Sequence, residues 1–333
     1  MKKKLIICAL AIILLLGTIV GYGYYFLTTP VSLPAKTVTI IVPKGASLRL
    51  ITSTLVQEGL LTNGQIFSWW AQFTGADRKI RAGEYEFTGA LSPLEILRRL
   101  LTGEGLRLIV TIPEGFTLKE IAAVLAEKGM GSQESFLCLN TDFQFLAKWG
   151  LPPQGMEGYL FPDTYYFSST STPEEVLDRM ISRFYGIFSP DMYRKADTLS
   201  HSIHEVVTMA SLIEKETGTP SERPLVSAVI HNRLKMAIPL QIDPTVIYGI
   251  KDFDGNLTRQ HLLAPTPYNT YTFLGLPPGP IANPGLKSLL AALNPANEDY
   301  LYFVAKGDGS HQFSSDLASH NRAVQRYQKR RSS

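Results

Sequence analysis

"IVPKGASLRLITSTLVQEGL" (residues 41–60) aligns without a gap on "TIPEGFTLKEIAAVLAEKGM" (residues 111–130). Pro43, Gly45, Leu48, Ile51, Leu55 and Gly59 fall on Pro113, Gly115, Leu118, Ile121, Leu125 and Gly129. Each copy opens on β-branched residues and turns at a Pro-x-Gly. Ser47 and Thr117 then stand where an N-cap hydroxyl belongs, ahead of apolar residues at helical spacing. Gly59 and Gly129 close the pattern as helix-ending glycines. The stretch therefore predicts two strand–turn–helix units. Two copies are too few to stack as a solenoid, so small modules are expected instead. Between the copies "FSWWAQFTG" reads as a helix and "AGEYEFTG" as a strand, with Trp69 and Trp70 expected in a core.

Upstream, Lys2, Lys3 and Lys4 precede an uncharged run that begins at Leu5 and ends at Leu27. About 20 apolar residues suffice to cross a hydrocarbon core. A cleaved signal peptide has a shorter apolar region, about 7–15 residues, followed by a small-residue cleavage site. Here the run is longer, and Tyr22, Tyr24, Tyr25 and Phe26 mark its far end like an interfacial aromatic belt. Residues 1–27 are read as a cytoplasmic amino terminus and an uncleaved, single-pass anchor in the cell (inner) membrane. Lysines before a span stay in the cytoplasm, so the remainder is expected to be extracytoplasmic or periplasmic. "LIIC" has a large Ile where a lipidation signal needs a small residue, so no lipid is expected on Cys8. Cys138 stands alone outside the span, which rules out an intramolecular disulfide in the soluble part. The net charge of +3 is too small to argue for a nucleic-acid partner.

Residues 28–36 read as a Pro-containing linker and 37–131 as the strand–helix modules. A second region, 132–333, mixes predicted helices near 173–188, 204–217 and 221–235 with loops rich in Pro, Gly, Asn, Thr and Tyr. "SLLAALNP" is a short helix, "YLYFVA" a strand, and the basic tail "DLASHNRAVQRYQKRR" a helix. Helices and strands mix without βαβ alternation, so the fold class is α+β.

The chemistry centres on "MASLIEKETG" (residues 209–218). Val206, Met209, Ala210 and Ile213 define a buried helix face, with Lys215 opposite and Glu214 and Glu216 flanking it at similar angles. The wheel does not choose between the two carboxylates. Glu216 lies nearer the carboxy-terminal end of the helix, where the dipole disfavours negative charge. Partial burial acts in the same direction, and both effects raise a carboxyl pKa as a general acid requires. Taken alone, the segment fits an exposed Glu–Lys–Glu face better. The loops add Gln241, Asp243, Thr245 and Tyr248 from "QIDPTVIYG", and Tyr268, Asn269, Thr270 and Tyr271 from "YNTY". Neutral hydrogen-bonding groups interleaved with aromatic rings suit a sugar, though the same residues also suit core filling and turns. No HExxH, CxxC, Walker or GxGxxG pattern occurs, and no GxSxG elbow. His201 and His204 have no further metal ligand in register, so no metal and no cofactor are expected. His311 and His320 read as a turn residue and a surface helix residue.

The motifs "MASLIEKETG", "SERPLVSAVIHNRL", "LQIDPTVIYG", "TPYNTYTFLGLPPGPIANPG", "YLYFVAKGDGSHQFS" and "LASHN" together resemble the YceG-like, or MltG, family of membrane-anchored endolytic murein transglycosylases. The resemblance runs from the anchor to Asn321 and is more specific in the carboxy-terminal half. It implies a LysM-like character for residues 37–131 and a transglycosylase catalytic domain over 132–333. It implies a lyase that cuts nascent peptidoglycan glycan strands at internal MurNAc–GlcNAc bonds, leaving 1,6-anhydroMurNAc ends. It puts the catalytic role on Glu216 and the cleft lining on Gln241, Asp243 and the Tyr268–Asn269 segment. Peptidoglycan synthases are the implied partners. Glu214 is left as a structural residue, a salt-bridge partner or loop anchor. Two rivals remain: a hydrolase pairing Glu216 with Asp243 or Glu157 to activate water, and a noncatalytic glycan-binding scaffold.

Overall fold

An uninterrupted apolar run with no proline forms one helix, α1 (Lys2–Thr28). Its segment Leu10–Thr28, with a mean hydropathy of 2.0, is long and apolar enough to cross a membrane, and is the one such helix among the described residues. The computed structural model describes residues 2–32, 37–43, 45–103, 106–168 and 171–328. Residues 33–36 of the expected linker, Lys44 of the first Pro-x-Gly turn and the basic end 329–333 lie outside them.

The chain divides into two compact units, residues 1–109 with 166–171, and residues 110–165 with 172–333. The first holds α1, β1 (Val31–Ser32), β2 (Val38–Val42), α2 (Leu48–Gln57), α3 (Gly64–Phe73), β3 (Gly83–Phe87), β4 (Ala90–Leu91) and α4 (Pro93–Thr102). β5 (Leu106–Thr111) leads into the second unit and β6 (Thr164–Ser168) leads back; the sheet order is β2-β3-β5-β6. β2 and β3 pair antiparallel from Val38↔Phe87 to Val42↔Gly83, placing α2 and α3 in one β–α–α–β connection. Phe67, Tyr85, Phe87, Leu55 and Ile96 are fully buried together in its core. Phe26 and Leu27 join that core, so the end of α1 is fastened to the unit. Val31 and Ser32, within the expected linker, pair with Leu91 and Ala90. Trp70 packs against the core, but Trp69 does not: it is 68% exposed. The buried face of α3 is taken by Phe67 and Ala71, each two residues from Trp69 and so about 200° round the helix from it, which turns Trp69 outward.

The second unit follows with α5 (Leu118–Glu127), α6 (Gln133–Leu139), α7 (Phe143–Lys148), α8 (Pro173–Ile187), α9 (Pro190–Thr198), α10 (Ile203–Glu216) and α11 (Arg223–Lys235). It ends with α12 (Asp243–Gly249), α13 (Arg259–Leu263), α14 (Leu286–Leu293), the antiparallel pair β7 (Tyr302–Ala305) and β8 (His311–Ser314), and α15 (Leu317–Tyr327). The expected α+β mixture is present. "QIDPTVIYG", expected as a loop, instead forms α12, because Pro244 presets the first-turn backbone for a helix.

The repeat is repeated in conformation as well as in sequence. Ser47 and Thr117 each cap their helix through the side-chain oxygen. Gly45 and Gly115 have φ of 77° and 78°, and Gly59 and Gly129 have 72° and 76°, all in the left-handed region. The first copy lies in the first unit and the second copy in the second.

Candidate active site

Ser202 and Glu205 form a capping box that starts α10. From Val206 to Ile213 every residue is buried, including the four assigned to the inner face from sequence. α10 is thus a central helix, packed by α9, α11, α12 and α14. Its last turn carries the two glutamates, and they differ sharply. Glu214 Oε1 accepts from Arg223 Nη2 at 3.0 Å, with both side chains 7% exposed. Glu214 Oε2 accepts from Gly285 N at 3.0 Å. It is both salt-bridge partner and loop anchor. Glu216 is the final helical residue, only partly exposed, and has no side-chain hydrogen bond among the described residues. Burial, with the nearby Asp243 charge second, pushes its carboxyl up to about 7.

Glu216 borders a cleft of about 560 Å³. Gln241 and Asp243, at the start of α12, line it with Tyr271. Asp243 Oδ1 accepts from Tyr271 Oη at 2.6 Å, so this carboxylate is already engaged. Gln241 stands at φ 54°, a conformation uncommon for a residue with a Cβ, and its N–H bonds Thr270 O at 3.1 Å. Arg233 fixes this corner. Its Nη1 donates to Pro239 O and Leu240 O, each at 2.9 Å, and to Gln241 Oε1 at 3.3 Å. Its Nε donates to Leu301 O at 2.7 Å, and the guanidinium lies 5.0 Å from the Tyr302 ring centroid.

The other residues named from sequence stand behind this surface. Thr245, Asn269 and Thr270 are buried. Thr245 Oγ1 and Thr270 Oγ1 bond each other at 2.9 Å, and Ile242 N donates to Thr270 Oγ1 at 3.0 Å. Asn269 Nδ2 donates to Ala264 O at 2.7 Å and Leu262 O at 3.1 Å. These three hold the loops in shape and do not reach the cleft. Tyr248 and Tyr268 pack with ring centroids 4.8 Å apart, and Tyr248 Oη donates to Glu157 Oε2 at 3.2 Å. Glu157 also accepts from Leu118 N at 2.9 Å and Asn283 Nδ2 at 2.8 Å. Burial raises it to about 7 as well, but it bonds scaffold groups on both oxygens.

Sequence reading missed several cleft residues. Arg233 had no signal apart from its helix. His311 and His320 were assigned to a turn and a surface helix, yet both line the cleft. His311 opens β8, and its Nδ1 and backbone N bond Glu222 at 2.7 Å and 2.8 Å. His320 stacks on Tyr302 at 5.1 Å, its Nδ1 buried without a hydrogen-bond partner among the described residues. The motifs "KGDGSHQFS" and "LASHN" were the available signal. His204 is occupied by Tyr159 Oη at 3.1 Å and Pro278 O at 2.9 Å.

The sequence model of the YceG-like family matches residues 40–326. The chain belongs to the YceG-like family. The match takes in both repeat copies and every cleft residue named above. This YceG-like chain is 34% identical to a Bacillus subtilis (strain 168) protein named endolytic murein transglycosylase, over 94% of this chain and 91% of that protein. A Streptococcus pneumoniae serotype 2 protein of the same name is 30% identical over 97% of this chain, which spans 65% of that longer relative. A crystal structure of a YceG-like protein from Listeria monocytogenes superposes with a TM-score of 0.63 at 31% identity, covering 87% of this chain and 99% of that one.

Proposed function

We propose that this chain is an endolytic murein transglycosylase, a lyase that cuts peptidoglycan glycan strands, with Glu216 as its acid and base. The observation that carries the reading is the state of Glu216. It is a cleft carboxyl poised near neutral pH and bonded to no protein group among the described residues. A general acid must hold its proton near neutral pH and be open to substrate, and the raised pKa and cleft position of Glu216 support that role. The names of the Bacillus and Streptococcus relatives point to the same substrate.

In the proposed reaction, protonated Glu216 donates to the glycosidic oxygen as the bond to the MurNAc anomeric carbon breaks. Positive charge develops at that carbon. The sugar's own 6-hydroxyl oxygen bonds to it, and the hydroxyl proton passes to the now ionised Glu216. The product carries a 1,6-anhydro ring and the enzyme returns to its starting state. A tethered nucleophile removes the need for a second carboxylate that activates water. Asp243, held by Tyr271, stabilises the cationic stage, and Gln241 with Tyr271 offers hydrogen bonds and a ring face to the sugars.

In the same reading, α1 is a single-pass anchor with its amino terminus in the cytoplasm. The cleft then works outside the membrane, near the synthases that extrude new strands. The β2–α2–α3–β3 connection is a LysM-like module that assists glycan binding. Digestion of purified glycan strands, read by mass spectrometry, tests the reaction. Anhydro ends made by the wild type and absent with Glu216→Gln support it. Reducing-end MurNAc favours a hydrolase using Asp243, and binding without any cleavage favours a scaffold.

A further inference from the structure

α3 turns Phe67 and Ala71 inward and leaves two large apolar side chains outside, Trp69 at 68% exposure and Phe73 at 85%. With Trp70 and Leu94 they form one wall of an apolar groove of about 630 Å³. Val20, Tyr24 and Leu27 of α1 form the opposite wall. Groove and helix belong to the same compact unit. The depth of this groove follows from helix geometry. Counting from Leu5, a rise of about 1.5 Å per residue brings the helix across a core of about 30 Å near Tyr24. Val20 then lies about 6 Å inside the outer boundary. A groove lined by Val20 therefore opens at the level where acyl chains meet headgroups, where tryptophan is favoured. The chain leaving α3 adds two exposed cations, Arg78 and Lys79, suited to lipid phosphates.

We propose that the groove between α1, α3 and α4 takes a phospholipid acyl chain of the outer leaflet, so that Trp69 and Phe73 seat the first unit on the membrane surface. The membrane spanned by α1 is continuous with the groove, which makes lipid its occupant. The proposal rests on α1 crossing the membrane and is independent of the chemistry at Glu216.

The test uses the full chain in vesicles of phosphatidylcholine and phosphatidylglycerol. The protein has three tryptophans, so Trp70→Phe with Trp149→Phe leaves Trp69 as sole reporter. Bromine placed near the headgroup end of the acyl chains is expected to quench Trp69 emission by about half, and bromine near the methyl end by less. If the double variant misfolds, Trp69→Phe in the otherwise wild-type chain gives the comparison, and the fraction quenched by shallow bromine should drop. Shielding of Trp69 from bromine at every protein-to-lipid ratio, by water or by a second protein chain, overturns the proposal when the protein stays with the vesicles after an alkaline wash. Loss of the protein from the vesicles in that wash overturns the anchor reading itself.

Discussion

Glu214 and Glu216 are two residues apart on one helix turn and have opposite fates. Glu214 is neutralised by Arg223 and held by Gly285 N, while Glu216 faces open cleft beside another negative charge. If, as proposed, the acid form of Glu216 is the active one, strand cleavage should be level in mildly acidic buffer and fall as pH rises through about 7. A pH–rate profile of kcat/KM checks this. Asp243→Asn removes the like charge that helps keep the proton on, so the descending limb should move to lower pH. Glu216→Gln should cost about 10²–10⁴-fold in kcat. The folded pKa of Glu216 is raised above the ordinary 4.5, so burying it costs nothing below that value and progressively more as pH rises to about 7. Above that pH the Gln variant should be more stable than the wild type by about 1–3 kcal/mol, seen as a higher Tm.

Between α10 and α11, the buried ion pair of Glu214 with Arg223 holds the last turn of α10, which also carries Glu216. Arg223 lies 3.0 Å from Glu214 but 3.9 Å from Glu114, whose side chain is 48% exposed. Glu214→Ala should therefore leave a buried guanidinium without its close partner and free Gly285 N at the start of α14. The expected loss is about 3–5 kcal/mol in a denaturant titration. The loop at Gln241 is organised on another plan. Arg233 binds four oxygens there without a carboxylate among the described residues, which holds Gln241 at its positive φ. The uncommon conformation of a cleft residue is thus maintained by the hydrogen bonds that Arg233 makes behind it.

At the scale of the whole chain, the one membrane-length helix among the described residues belongs to the first unit and the cleft to the second. None of the cleft residues lies in α1. A chain beginning after α1 should leave the membrane fraction and still cut glycan strands through Glu216, as fractionation followed by strand digestion would show.

The sequence by itself determined the parts governed by local rules. The repeat fixed two capped helices down to their glycine conformations, because caps and left-handed glycines are decided within a few residues. Apolar spacing fixed the inner face of α10, and the length of the first run fixed α1. Only the tertiary structure separated Glu214 from Glu216, since the wheel gives both the same angle and Arg223 and Gly285 decide which is paired. It alone moved Thr245, Asn269 and Thr270 behind the wall and brought Arg233, His311 and His320 to the cleft. Those placements depend on which segments meet across long stretches of chain, and hydrogen-bonding side chains look alike in sequence whether they face a ligand or satisfy a buried loop.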